Sequence, residues 1–305
     1  MTKTENNILL FSITLCWASS YVFIKSLPPD FSSFAYLTLT TGISAVILVA
    51  VFWRRLREIK LSTLKRSFIL ALILTVNLLA EKQGVMLLPA SNASFLSALT
   101  ILVVPILMLL LRKRPTKNNI AGAGIIVLGL FLTNRFFMSA FLNKGTLFIM
   151  LGCLCSAVYI ISADRFTKSE NPLLIGVVQM VFTAIFGFAL WLFEEPTTFL
   201  SVNYTKELLS SIFILAFFTK AYAYILLMFS QKYADPMRVT IIAATEPVVT
   251  LMLAVLLPSA YGASEKFNIF SLFGAVVIAI GAVVAGSDFM KSRKKVKAVG
   301  EQNGN

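Results

Sequence analysis

Long uncharged apolar tracts alternate with short polar segments along the whole chain. The clearest tracts cover residues 31–53, 145–163, 172–193 and 267–287. A helix rises 1.5 Å per residue, so about 20 apolar residues cross the hydrocarbon core of a bilayer. A buried helix of a soluble protein rarely stays apolar on every face for that length. The pattern therefore predicts an all-α, polytopic membrane protein.

The same pattern predicts ten transmembrane helices, whose connections are too short to hold a soluble domain. The predicted spans are 7–27, 32–53, 67–88, 91–111, 118–134, 145–163, 172–193, 208–230, 237–257 and 268–287. A basic cytoplasmic tail, 288–305, follows the last span.

Composition and charge agree with this topology. Hydrophobic residues make up 58% of the chain and charged residues 13%, whereas about a quarter of a soluble domain is charged. A net charge of +13 would indicate nucleic acid on a soluble protein, but here the basic residues lie between apolar tracts, so no nucleic-acid partner is predicted. With both termini inside, 20 of the 27 lysines and arginines are cytoplasmic, as the positive-inside rule requires. The three cysteines lie in apolar tracts without metal-ligand spacing, so neither a metal nor a cofactor is predicted.

The two halves of the chain share an internal pattern. Pro105 precedes Gly-Ala-Gly-Ile-Ile-Val-Leu-Gly at 122–129, and Pro247 precedes Gly-Ala-Val-Val-Ile-Ala-Ile-Gly at 274–281. The prolines are 142 residues apart and the first glycines 152, which places about ten extra residues in the loop 258–266. Both prolines are predicted to break their helices.

This pattern divides the chain into two five-helix repeats, 7–134 and 145–287. Five spans per repeat, an odd number, force the second repeat to insert upside down relative to the first, as in many secondary transporters. Chance is the alternative, because spaced glycines are common in membrane helices. The matching order of proline span and glycine span favours a true repeat.

Several motifs resemble those of one family. They are Trp-Ala-Ser-Ser-Tyr-Val-Phe-Ile-Lys at 17–25, Ser-Asn-Ala-Ser-Phe-Leu at 91–96, Val-Pro at 104–105 and Glu-Pro at 246–247. Over about residues 7–287 the chain resembles EamA-like permeases of the drug/metabolite transporter superfamily. The resemblance implies ten helices, cytoplasmic termini in the bacterial inner (plasma) membrane, and movement of metabolites such as amino acids, often outward. An acidic residue common at the end of the fourth helix is replaced here by the basic run 112–114, and an arginine common early in the second helix is absent, which weakens any transfer of substrate.

Four ionisable residues fall inside predicted spans, where they are costly and usually face a cavity or a partner. They are Glu81, Lys82, Lys220 and Glu246. One hypothesis places Lys220 in a cavity, where it binds a substrate carboxylate while Glu246 acts as counter-ion or proton carrier. The alternative is a buried Lys220–Glu246 pair that only fixes helix packing. A separate alternative puts Glu81 and Lys82 at the wet outer interface.

Polar and aromatic residues at helical spacing complete the predicted site. Asn77 and Glu81 share one face of the third helix, and Tyr224 follows Lys220 by one turn. The predicted substrate-binding residues are Trp17, Tyr21, Asn77, Glu81, Ser97, Tyr159, Lys220, Tyr224 and Glu246. For any single ring, packing against lipid or core is the competing interpretation. Ser94 and Thr240 either donate into the cavity or bond their own backbone, and Trp53 and Trp191 are predicted interface anchors.

These features predict a secondary transporter of small organic metabolites, an exporter or exchanger that works by alternating access. Its predicted partners are a small-molecule substrate and the lipid bilayer, with proton or counter-solute coupling, as a monomer or homodimer. A membrane-embedded transferase would need clustered carboxylates, histidines or metal ligands, which the loops lack. A channel-like or structural role would give no saturable solute flux. A nucleotide-driven pump is excluded for this chain because it has no phosphate-binding loop.

Overall fold

The computed structural model describes residues 2–112, 116–134, 143–198, 202, 204–257 and 269–286. Within these ranges the regular structure is helical. The helices are α1 (Lys3–Lys25), α2 (Ser33–Phe52), α3 (Leu61–Leu87), α4 (Ala90–Leu110), α5 (Lys117–Asn134), α6 (Lys144–Thr167), α7 (Pro172–Glu194), α8 (Lys206–Gln231), α9 (Pro236–Leu256) and α10 (Ile269–Gly286). A short 3₁₀ turn, Arg55–Glu58, links α2 to α3.

Eight of the described helices, α1–α4 and α6–α9, are long and apolar enough to cross a membrane. The predicted polytopic, all-helical class is therefore confirmed. The count of ten spans and the inverted relation of the halves stay predictions. The loop 258–266 and the basic tail 288–305 lie outside the described residues.

Several helices begin where an amide-bearing or acidic side chain accepts backbone N–H groups. Asn171 caps α7 and Asp235 caps α9, and each is followed by a proline at the first helical position. A proline is favourable there because the amide it lacks would have no intrahelical partner. These two Asx-Pro pairs fix where the chain re-enters the membrane region after short turns.

Helices α5 and α10 pack closely through the repeated glycines. A Cβ atom placed on Gly122 would lie 2.5 Å from the carbonyl oxygen of Gly281, and one on Gly129 would lie 2.8 Å from that of Gly274. Small residues let two membrane helices approach at backbone distance. The pairing order makes the two helices antiparallel. We call this contact the glycine seam.

Helices α4 and α9 are both interrupted near their middle. Each consists of an eight-residue piece, Ala90–Ser97 or Pro236–Ala243, followed by an 11-residue piece, Thr100–Leu110 or Glu246–Leu256. The first pieces of α4 and α9 are therefore equal in length, and so are their second pieces.

The prolines do not occupy equivalent positions in these two helices. Pro247 lies in the first turn of its piece, so a break at Pro247 is as expected. Pro105 lies inside its piece, and the break in α4 comes earlier, between Ser97 and Thr100. The prolines are 142 residues apart, whereas the corresponding helix pieces begin 146 residues apart, at 90 and 236 and at 100 and 246. An interior proline removes one backbone hydrogen bond without having to end the helix at its own position.

Two expectations about the membrane interface need correction. Trp191 is only 2% exposed, and its indole Nε1 donates a 2.9 Å hydrogen bond to Thr198, so it packs inside the bundle. Trp53, in contrast, is 54% exposed at the end of α2. Lys82 is buried and donates a 2.6 Å hydrogen bond to the carbonyl oxygen of Phe31, in the connection between α1 and α2, so its side chain is not exposed to water.

Candidate functional site

One cavity of about 840 Å³, including its open mouth, is lined by residues of α1, α3, α4, α6, α8 and α9. All nine residues predicted to bind substrate line it: Trp17, Tyr21, Asn77, Glu81, Ser97, Tyr159, Lys220, Tyr224 and Glu246. The fold thus brings together side chains that are more than 200 positions apart in the sequence. Their role in binding stays a prediction.

The interruptions of α4 and α9 both face this cavity. Ser97, Ala98 and Thr100 line it from α4, and Ala244 and Glu246 line it from α9. A break in a membrane helix leaves backbone groups without helical partners, which is tolerated where they are buried in protein or border a water-filled cavity. The Thr100 hydroxyl recovers one of these bonds by donating to the carbonyl oxygen of Ser97 at 2.8 Å.

Lys220 lies deep in the bundle, on a π-helical segment of α8, Leu215–Tyr222. Its side chain is 1% exposed, and its Nζ lies 5.7 Å from the ring centroid of Tyr36 and 5.8 Å from that of Tyr224. Among the described residues it makes neither a hydrogen bond nor an ion pair within 4 Å. The fixed Lys220–Glu246 pair, which was the purely structural alternative, is therefore not formed.

Two carboxylates face the same space. Glu81 accepts a 3.2 Å hydrogen bond from the Ser20 hydroxyl, and Glu246 lines the cavity together with Tyr21. Neither carboxylate lies within ion-pair distance of the Lys220 ammonium group. The cavity thus presents one ammonium group and two carboxyl groups that do not neutralise each other in direct pairs.

Aromatic rings form one wall of the cavity. Tyr224 contacts Trp17 at 5.7 Å and Tyr159 at 5.9 Å between ring centroids. The Tyr159 hydroxyl donates to Gln179 at 3.0 Å, which fixes that ring from behind. The indole Nε1 of Trp17 is buried and has no hydrogen-bond partner among the described residues.

Asn77 joins α3 to α6 at the edge of the cavity. Its Nδ2 donates to the carbonyl oxygen of Gly152 and to the Ser156 hydroxyl, both at 2.9 Å. Sequence reasoning missed Ser156 and Thr100 as lining residues. Ser156 could have been found from the sequence, because it lies three residues before the predicted residue Tyr159 and so shares a helix face with it.

The hydroxyls of Ser94 and Thr240 were expected either to donate into the cavity or to bond their own backbone, and the structure places them differently. Thr240 lines the cavity, but its hydroxyl donates to its own backbone at Pro236 and Met237. Ser94 does not line it, and its buried hydroxyl has no partner among the described residues. Within the described ranges no group of three metal-ligating side chains occurs.

The chain resembles a transporter family in sequence and a solved structure in fold. The sequence profile of the EamA-like transporter family matches residues 6–135 and 143–287. The Uncharacterized transporter YyaM of Bacillus subtilis (strain 168) is 23% identical over 202 residues, and the match covers 65% of this chain and 64% of that protein. A crystal structure with 17% sequence identity superposes with a TM-score of 0.73 over 93% of this chain and 98% of the other. At that identity the likeness shows the fold alone.

Proposed function

We propose that this chain, which belongs to the EamA-like transporter family, is a secondary transporter of small organic metabolites, with amino acids as the favoured class. The family and the apolar helices make it a multi-pass membrane transporter. The proposed direction is export or exchange, across the bacterial plasma membrane.

The observation that carries this proposal is the charged cavity. Lys220 offers a positive group, and Glu81 and Glu246 offer negative ones, in a space walled by aromatic rings. Lys220 is fully buried and forms no ion pair among the described residues, and a buried charge in that state is costly, which favours a partner that arrives from outside. A zwitterion satisfies both signs, because its carboxylate binds Lys220 and its ammonium group binds a carboxylate.

Alternating access between two inverted five-helix repeats is the proposed mechanism. Two contacts support it. In the glycine seam, the first glycine of each motif meets the second glycine of the other, as a two-fold axis in the membrane plane would require. The pieces of α4 and α9 also agree in length, and both breaks face the cavity, which would lie at the midplane between the repeats.

The proposed topology has ten spans with both termini in the cytoplasm. The excess of lysine and arginine in the segments assigned to the inside supports this orientation. Glu246 is the proposed proton carrier or counter-ion. The chain has no histidine, so proton coupling would have to use a carboxyl group.

A thermal-shift screen of the purified protein against metabolites tests the proposal. A true ligand should raise the melting temperature of the wild-type protein and lose that effect in Lys220→Ala. Lys232→Ala is the matched control, because Lys232 is exposed at the end of α8. A zwitterion that stabilises all three proteins equally would contradict the role of Lys220. Absence of saturable solute flux in proteoliposomes would contradict the transporter proposal itself.

A further inference from the structure

Lys220 has an unusual environment for a buried lysine. Its ammonium group lies over the ring of Tyr36, on α2, at 5.7 Å from the centroid, and over the ring of Tyr224, on α8, at 5.8 Å. Neither Glu81 nor Glu246 forms an ion pair with it. Among the described residues, the direct contacts of the ammonium group that can stabilise its charge are these two aromatic faces.

Tyr36 differs from Tyr224 in what it can do. Tyr224 lines the cavity, whereas Tyr36 does not. Tyr36 is fully buried where α2 packs against the π-helical segment, and its hydroxyl has no hydrogen-bond partner among the described residues. The ring, rather than the hydroxyl, is thus the part of Tyr36 that faces a functional group.

A cation over an aromatic face is attracted by the ring quadrupole, and the attraction is stronger where the pair is desolvated. An ion pair would also stabilise the ammonium group, but it would occupy its N–H donors and oppose binding of an anion. Two rings stabilise the charge while leaving the donors available. The arrangement suits a group that must stay charged and accessible to the cavity.

We propose that Tyr36, acting with Tyr224, is a positioning residue that holds the Lys220 ammonium group charged and without an ion pair, so that it can receive an anionic group of the substrate. The anionic ligand rests on the proposed function. The aromatic support of Lys220 does not, and it is measurable in the ligand-free protein.

Acetylation of Lys220 by acetic anhydride reports the charge of its amine. The reagent is small, crosses membranes and reacts only with the uncharged amine. Intact protein is labelled at one fixed neutral pH, and the acetylated fraction of Lys220 is measured by mass spectrometry relative to exposed Lys232. The other ionisable groups around the cavity are Glu81, Glu246, Tyr21, Tyr159 and Tyr224, and all are left unchanged.

A series of side chains at position 36 separates the ring's charge distribution from its shape. Tyr36→Phe should label like wild type, since it keeps the aromatic face. Trifluorophenylalanine, introduced at position 36 by nonsense suppression, has nearly the same shape but a weaker quadrupole. It should raise Lys220 labelling about fivefold, which corresponds to about 1 kcal/mol of lost attraction. Tyr36→Leu should raise it at least as much.

Three outcomes would overturn the proposal. Equal labelling of the phenylalanine and trifluorophenylalanine proteins would show that only packing matters. Increased labelling in Tyr36→Phe would assign the effect to the hydroxyl. Absence of Lys220 labelling in every variant would show that the amine is not accessible from the cavity. Since no ligand is present, a negative transport assay leaves each of these results interpretable.

Discussion

The glycine seam and the central cavity both join the two halves of the chain, and they are built in opposite ways. In the seam, a Cβ on Gly122 would meet the backbone of Gly281 at 2.5 Å, so no side chain fits. In the cavity, by contrast, large and charged side chains surround open space. The contrast indicates that the seam supplies a fixed frame, whereas the cavity keeps polar groups available at a cost in stability.

The largest expected effect comes from filling the seam. Gly122→Val should lower the free energy of unfolding by about 3 kcal/mol or prevent folding, because the added atoms collide with backbone that cannot move aside. Gly124→Val is the matched control, since nothing lies within 4 Å of a Cβ placed there. Unfolding of both variants in mild detergent measures the difference. Equal stability of the two would contradict a tight seam.

The next effect separates two buried lysines. Lys220→Met should weaken ligand binding at least tenfold, the loss expected for a charge-assisted hydrogen bond of about 1.5–3 kcal/mol. Its stability should hold or rise, because an unpaired buried charge is removed. Lys82→Met should leave ligand binding unchanged and lower the stability, because it removes the hydrogen bond to the Phe31 carbonyl, which lies outside the cavity. Binding and melting temperatures measured on both variants decide the matter. If binding were weaker in Lys82→Met and unchanged in Lys220→Met, the proposed ligand-binding role of Lys220 would be contradicted.

The third effect concerns coupling. Glu246→Gln should abolish the dependence of transport on a pH gradient imposed across proteoliposomes, because an amide side chain does not take up and release a proton at these pH values. Glu81→Gln, in the same cavity, should retain that dependence even if its affinity falls. Wild-type gradient-dependent rates in Glu246→Gln would end the proposed role.

The smallest effect lies outside the cavity, at the connection between α6 and α7. Hydrogen bonds from the Ser62 and Thr63 hydroxyls, together with the Arg66 guanidinium 3.2 Å away, lower the pKa of Glu170. A carboxyl group with a lowered folded-state pKa stabilises the protein above its ordinary pKa of about 4.3 and loses that contribution as the pH falls through the lowered value.

Glu170→Gln should therefore cost about 1 kcal/mol or less at pH 7, since the network is partly exposed. The gap between wild type and variant should narrow towards pH 3. Thermal melts at the two pH values measure it. A gap that is equal at both would show that the Glu170 charge does not stabilise this junction.

The sequence predicted the cavity better than the details of the frame. Ionisable residues in apolar spans, such as Glu81 and Lys220, stand out because burying them alone is so unfavourable. Tyr36 did not stand out, because an aromatic residue in an apolar helix looks the same whether it packs or supports a cation. The π-helical segment of α8 was also invisible, since its residues suit an ordinary helix equally well. The break of α4 before Pro105 depends on tertiary packing that spacing does not encode.

Accessibility of the cavity from each side of the membrane tests the central claim most directly. Ser156 lines the cavity, so Ser156→Cys, in a chain whose Cys16, Cys153 and Cys155 are replaced by alanine, places one reporter thiol there. A membrane-impermeant thiol reagent should label it in right-side-out vesicles and also in inside-out vesicles, as expected if one site opens to each side in turn. Labelling from one side only, or from neither, would contradict the alternating-access transporter proposed for this chain.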